Sequence, residues 1–411
     1  MSRVPRSIRL FHRDLDTARQ GSGLRIKFDK LGIVIALIAA YGTFWAAFAT
    51  LKPNRILQGE ARAILDALPA WAGFGLLAIL FMAAIAALFR TSPWLKLIAA
   101  AAALAALTLS IGLAAGFLTP DGNSYARVSP ASGFWLLLFA SALLAADAIT
   151  RLAPPPWMRV LFLILAAIGV GAILMSGSWD GLSIMKEYAG RADVFWIEAG
   201  RHVTLALGSL FAAVVVGLPL GILCHRVESL RAAVLNTLNL IQTIPSIALF
   251  GILIGPLAWI SATVPGAAAI GIHGIGVAPA FVALFLYSLL PVVANTVVGL
   301  AGVPREANDA ARGIGLTDRQ RLFQIEFPLA LPVILTGIRI VLVQNIGMAT
   351  IAALIGGGGF GVFVFQGIGQ TAMDLVLLGA VPTVALAFAA AVVLDALVEM
   401  NTRGPNGASS R

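Results

Sequence analysis

Charge is scarce in this chain. Asp, Glu, Lys and Arg together make up 11% of its 411 residues, less than half of the roughly 25% typical of a soluble domain. So few ionised groups cannot coat a water-facing surface, which excludes an ordinary soluble enzyme. Cysteine is scarcer still. Cys224 stands alone, so no disulfide can close within the chain. The four histidines, His12, His202, His225 and His273, are scattered without metal-ligand spacing, and no metal site is expected. No phosphate loop of the form Gly-x4-Gly-Lys-Ser/Thr occurs. Any ATP used with this protein must therefore be bound by another chain.

Apolar residues are abundant, at 59%, which excludes disorder and leaves an all-α polytopic membrane protein. The net charge of +9 does not point to nucleic acid, because no basic stripe is interleaved with aromatics. Lys and Arg instead hold loops against anionic lipid. A membrane-crossing helix needs about 20 mainly apolar residues. Ten runs qualify: 31–51, 68–89, 95–118, 133–149, 158–175, 203–224, 234–254, 277–299, 333–355 and 375–398. The first starts too late, and runs too long, for a cleavable signal. Met1–Lys30 carries Arg3, Arg6, Arg9, Arg13, Arg19, Arg25, Lys27 and Lys30, so this end is expected in the cytoplasm. Alternation through ten spans then leaves most other Lys and Arg on inside segments, with both termini cytoplasmic.

The polar residues divide the chain. A basic tail, 1–30, precedes an accessory five-helix segment, 31–175, with short loops and little polar chemistry. A charged extracytoplasmic linker, 176–202, leads to a second half, 203–400, whose spans are richer in Gly, Pro, Asn and Gln. Polar side chains and helix breakers at membrane depth line cavities or helix contacts, so the functional core is placed here. A short cytoplasmic tail, 401–411, follows. No internal repeat is evident, which disfavours the commonest secondary-transporter folds.

The most informative stretch is 303–332, VPREANDAARGIGLTDRQRLFQIEFPLALP. It reads as two short helices around a glycine turn. Pro304 suits the first helical position, Gly313 and Gly315 end the helix, and Thr317 with Gln320 forms a capping box that starts the next. Ala307, Ala310 and Ala311 fall on one face at i, i+3 and i+4, a smooth surface that can lie in a groove of another protein. Arg305, Asp309 and Arg312 flank it. In the second helix Leu322 pairs with Ile325, and Phe323 with Phe327, at helical spacing. The bland alternative is a solvated connector.

The spacing argues against that alternative. Asp309-Ala310-Ala311, Gly315, Ile325 and Pro328 closely resemble the EAA motif of ABC-importer permeases, with Asp309 standing where Glu is usual and Phe327 where Leu is usual. The likeness extends over about 202–398. His202-Val203-Thr204-Leu205 looks like the opening of the permease core. Gln242-Thr243-Ile244-Pro245-Ser246 and Tyr287-Ser288-Leu289-Leu290-Pro291, followed by Asn295-Thr296, look like the glycine betaine/choline/carnitine branch. The resemblance implies a type I ABC-importer core that dimerises with a second permease copy or paralogue. Two ATPase subunits dock on the EAA loops, and an extracytoplasmic solute-binding protein delivers substrate. The residues carried over to the ATPase-coupling loop are Asp309, Ala310, Ala311, Gly315, Ile325 and Pro328. The chain itself is expected to bind no cofactor, with ATP and Mg used by the ATPase, and to fuse no binding domain after its last span.

Gln242, Thr243 and Ser246 around Pro245, with Gln344 and Asn345 beside Gly347, are candidates for a translocation path; the alternative for each is hydrogen bonding between helices. Gly356–Gly361, GGGGFG, lacks the Lys-Ser/Thr of a phosphate loop and reads as a turn or short re-entrant element. Arg339 is expected to snorkel to the interface, and Asp147 to snorkel or pair locally. The expected function is the permease subunit, itself no enzyme, of an ATP-driven importer in a bacterial inner membrane. Glycine betaine or a related quaternary ammonium compatible solute is the expected substrate. The competing reading is an ion- or proton-coupled secondary transporter, which needs an intramembrane titratable relay that the core scarcely offers.

Overall fold

The computed structural model describes residues 28–54, 57–120, 122–123 and 125–402. The basic tail up to residue 27 and the C-terminal tail from residue 403 lie outside the described residues. The chain divides into two compact units. One comprises Met1–Ala49, Arg62–Ser110 and Pro130–Leu152; the other comprises Thr50–Ala61, Ile111–Ser129 and Ala153–Arg411.

The first unit contains α1 (Lys30–Phe44), α2 (Ile64–Ala67), α3 (Ala70–Leu88), the larger part of α4 (Pro93–Leu118) and α5 (Ser132–Leu152). α1 packs between α3 and α5. Small residues let these backbones meet: a Cβ on Gly32 would stand 1.8 Å from the carbonyl oxygen of Ala87. The unit is pinned by charge. Lys96 is wholly buried, and its Nζ lies 2.7 Å from Asp29 Oδ2 and 3.2 Å from Asp147 Oδ2. Arg151 closes the cluster at 2.6 Å from Asp29 and 2.8 Å from Asp147. Burial pushes the Asp29 carboxyl up, but hydrogen bonds and charge from Lys96 and Arg151 outweigh it and hold the pKa below the usual 3.8. Asp147 thus pairs locally, as one of its two sequence readings had it.

The second unit holds a small sheet ordered β2-β1-β3, from β1 (Ala49–Lys52), β2 (Glu60–Arg62) and β3 (Arg127–Pro130). Its helices are α6 (Pro156–Met175), α7 (Ser183–Ala189), α8 (Ala192–Arg226), α9 (Glu228–Thr243), α10 (Ser246–Thr263), α11 (Val277–Ala301), α12 (Arg305–Gly313), α13 (Asp318–Arg321), α14 (Phe327–Ala349), α15 (Gly361–Gly369) and α16 (Met373–Thr402). α11 is the centre. It packs on α8, α9, α10 and α14, and α14 packs in turn on α16. Gly217 and Gly221, one turn apart on α8, admit α11 closely: a Cβ at either would meet Val292 at 2.8 Å or Thr296 at 2.6 Å.

Among the described residues nine helical runs are long and apolar enough to cross a membrane. The expected first span is the exception. α1 stops at Phe44 after 15 residues, because Phe48 and Ala49 are fully buried in protein and the chain turns into β1. The expected seventh span, 234–254, is broken. Ile244 is extended (ψ 126°) ahead of Pro245, as the ring of a following proline requires, and the long apolar helix is Ser246–Thr263. The sixth is longer than read, at 35 residues, and takes in part of the charged linker, most of which is helical. The ninth begins earlier, because Asp318–Ala349 runs as one helical rod. α6, grouped by sequence with the accessory segment, packs on α16. There Arg159 reaches Asp395 at 3.2 Å and Glu399 at 2.8 Å. Arg339 does not simply snorkel; it donates to Asp395 in the same network.

Candidate functional site

The EAA-like loop is built from two helix ends and one glycine. Pro304 is the N-cap of α12 rather than its first residue. The helix closes in a Schellman motif: the N–H of Leu316 donates to Ala311 O at 3.0 Å and that of Gly315 to Arg312 O at 2.9 Å. Gly315 takes φ +81°, which a side chain resists. Both bonds of the capping box form, from Gln320 N–H to Thr317 Oγ1 at 3.3 Å and from Thr317 N–H to Gln320 Oε1 at 2.9 Å.

The three alanines do not share one environment. Ala311 is 2% exposed and turned into the protein, Ala307 is half-buried, and Ala310 and Asp309 are exposed. The outward stripe of α12 is therefore Glu306, Asp309, Ala310 and Gly313, continued by the 78% exposed Ile314. The expected Phe323–Phe327 pair does not form. Leu322–Glu326 is π-helical, so an extra residue per turn aligns Leu322 with Phe327. Both pack under the loop on Leu300, Val303, Ala330 and Ile334, leaving Phe323 exposed. Ile325 is half-buried and Pro328, in the first turn of α14, is exposed.

This π turn brings together an ion network that the sequence did not disclose. Arg321 Nε donates to Glu326 Oε1 at 3.0 Å, Arg321 Nη1 reaches Asp318 at 2.9 Å, and Arg226 Nη2 at the end of α8 donates to Glu326 Oε2 at 2.8 Å. Arg321 and Glu326 are 4% and 3% exposed. The loop is thus fixed to α8 and α14 by buried charge, while α12 presents outward the small Ala310 and Gly313 flanked by Glu306, Asp309 and Ile314.

Residues 213–404 match the family described as "Binding-protein-dependent transport system inner membrane component", and 29–185 match "ABC transporter permease YehY, N-terminal domain". The osmoprotectant import permease protein OsmW of Salmonella typhimurium is 44% identical over 53% of this chain and 94% of its own length. The chain belongs to the binding-protein-dependent ABC transport permeases. It is a transporter component rather than an enzyme. The permease is also 36% identical to the glycine betaine/carnitine/choline transport system permease protein OpuCB of Bacillus subtilis, over 50% of this chain and 86% of that one. Among solved structures it is similar to the inward-facing MetNI methionine ABC transporter, with TM-score 0.45 and 22% identity over 52% of this chain and 96% of that one.

The path candidates of the permease fall into two groups. Gln242, Thr243 and Ser246 surround the break between α9 and α10. Gln242 Nε2 donates to Tyr287 O at 2.8 Å, and the exposed Thr243 donates to Leu240 O at 2.7 Å. Gln344 and Asn345 lie on α14. Gln344 is half-buried, whereas Asn345 is 0% exposed. Asn345 Nδ2 lies 2.9 Å from both Ser209 Oγ on α8 and Ser288 Oγ on α11, a polar clasp across three helices. The glycine run is no anion cradle, because Glu198 and His202 already accept the N–H groups of Gly359 and Phe360. Sequence reading had placed Glu198 among loop charges; its four-residue spacing from His202 on one helix face was the available signal.

Proposed function

We propose that this chain is the permease of an importer for quaternary ammonium compatible solutes such as glycine betaine, lodged in a bacterial inner membrane with the α12 loop and the end of α16 on the cytoplasmic side. It pairs with a second permease copy or paralogue. Two ATPase subunits bind ATP and Mg and dock at the outward stripe of α12, around Asp309 and Ala310. Gly315 and the buried Ala311 set the angle of that helix. Ile325 and Pro328 join it to α14, so a push on α12 turns α14 as a rod. An extracytoplasmic binding protein selects the solute, holding its cation by aromatic faces. Gln242, Thr243, Ser246 and Gln344 line the path, and Asn345 behind them fixes the spacing of α8, α11 and α14.

The exposed stripe of α12, small Ala310 and Gly313 beside acidic Glu306 and Asp309, on an ion-paired base carries this reading, because it combines a docking face with a rigid transmission. The names of the relatives support the substrate class. The test is uptake of radiolabelled glycine betaine into proteoliposomes holding this permease, its ATPase and its binding protein. Uptake that needs ATP and all three components is expected. Uptake without the ATPase, driven by an ion gradient, overturns the importer, and a binding protein that takes no quaternary ammonium compound overturns the substrate class.

A further inference from the structure

Glu198 and His202 stand four residues apart on α8, so they share one face. Glu198 Oε2 accepts the N–H of Gly359 at 2.6 Å, and His202 Nδ1 accepts the N–H of Phe360 at 3.3 Å. The Phe360 ring packs on the imidazole with centroids 4.9 Å apart. His202 is wholly buried and Glu198 nearly so. Arg201 Nη1 holds the other carboxylate oxygen at 2.7 Å. Gly358 and Gly359 have φ of +79° and +85°, and a Cβ on Gly358 would meet Glu198 Oε2 at 2.6 Å. Positions 358 and 359 therefore have neither the backbone freedom nor the room for side chains, and the amides of Gly359 and Phe360 are bonded to α8. A second tie joins it to α11, where the N–H of Gly276 donates to Ile355 O at 2.7 Å.

The polar part of this seat is two main-chain N–H groups meeting two side chains of one helix, and its apolar part is the Phe360 ring. Those two bonds are lost together if α8 and the loop separate by a hydrogen-bond length, and with them the packing of the buried Phe360 ring on Phe195 and His202. The loop joins the end of α14 to α15. In the proposed orientation it lies at the extracytoplasmic end, where solute arrives, while α14 carries the motion of the α12 loop from the other end.

We propose that Glu198 and His202 are positioning residues for transport: they latch residues 356–360 to α8 while the outer end is closed, and the latch opens when ATP closes the ATPase pair. The proposal rests on the importer reading. Binding-protein stimulation of ATP hydrolysis by the wild-type complex tests that reading separately. Hydrogen exchange of the 356–360 peptide in the full complex tests the latch. Slow exchange without nucleotide is expected, rising about tenfold with a non-hydrolysable ATP analogue, within the usual range of coupling between sites. Glu198→Ala should exchange fast in both states, hydrolyse ATP without needing the loaded binding protein, and lose most uptake. Glu198→Gln, which keeps an oxygen acceptor, should restore all three. Equal exchange in both nucleotide states overturns the latch. So does a Glu198→Ala complex with wild-type stimulation. Hydrolysis and uptake that fall together with the melting temperature also overturn it, because they describe a structural anchor.

Discussion

Arg321 Nε donates to Glu326 Oε1 at 3.0 Å across five residues of π-helix. In a regular α-helix residues five apart do not face each other, so the ion pair and the π turn imply one another. With Arg226 on the second oxygen, Glu326 joins the end of α8 to the start of α14. Removing one partner of a buried pair costs about 3–5 kcal/mol, whereas apolar replacement of both is often neutral. Glu326→Ala is expected to lower the melting temperature of the purified permease sharply. Glu326→Met with Arg321→Met should recover much of the loss, yet leave ATP-driven uptake impaired because the π turn relaxes. A double variant with full uptake would detach this pair from coupling.

The alanines of α12 separate docking from folding. Ala310→Trp puts a large side chain on the outward stripe and should abolish ATPase co-purification and uptake without harming insertion. Ala311→Trp overfills a 2% exposed site and should instead destabilise the loop. Gly315→Val meets φ +81° and should abolish coupling with the fold of the spans intact. Asp309 is exposed, so Asp309→Ala should cost about 0–1 kcal/mol of docking, and Asp309→Glu should be tolerated. Co-purification with the ATPase and stimulated hydrolysis in proteoliposomes measure all five. Full binding by Ala310→Trp would exclude this stripe as the docking face.

What the sequence made legible follows from the range of each interaction. The capping box and the Gly315 turn are local, set by residues within one helical turn, and both form as read. Hydrophobic runs located the spans but not their ends. Apolar side chains buried in protein, such as Phe48, look the same in a sequence as those facing lipid, and Pro245 broke a run that hydropathy averaged over. The facing of Phe323 and Phe327 was lost to a one-residue π insertion that no spacing rule announces. The Glu326, Asp29 and Asp395 ion networks each take a partner from a distant segment, Arg226, Lys96 and Arg159, which no local spacing announces.

Asn345 tests whether a buried amide serves structure or solute. Ser209 and Ser288 each also donate to a carbonyl of their own helix at 2.6 Å, so neither hydroxyl is stranded when the amide goes. Asn345→Ala should cost about 1 kcal/mol, the usual worth of an interhelical hydrogen bond, visible as a lower melting temperature with KM for solute unchanged. Gln344→Ala should raise KM with little effect on melting. The reverse pattern would move the path to the α8–α11–α14 clasp.

The cluster around Lys96 predicts a pH signature for the first unit. Asp29 has a pKa held below 3.8, with burial opposing and Lys96 and Arg151 prevailing. A carboxyl depressed on folding contributes stability that is fully present above its unfolded value and is lost as pH falls through its folded value. The wild-type protein should therefore hold its melting temperature from neutral pH down to about pH 4 and lose it only in stronger acid. Lys96→Met removes the cation that bridges Asp29 and Asp147 and leaves two carboxylates beside the more exposed Arg151. Burial is then opposed by Arg151 alone, so the Asp29 carboxyl pKa rises from its depressed value. The variant should melt lower at neutral pH, by the few kcal/mol expected of a broken buried pair (about 3–5). Mild acid should narrow its deficit, because protonating one carboxyl relieves the repulsion. Arg151→Ala, at a site 39% exposed, should be milder throughout. Melting curves of the three proteins between pH 4 and pH 8 decide it, and a Lys96→Met protein whose deficit does not narrow in acid would show that the buried lysine is not what holds the Asp29 carboxyl down.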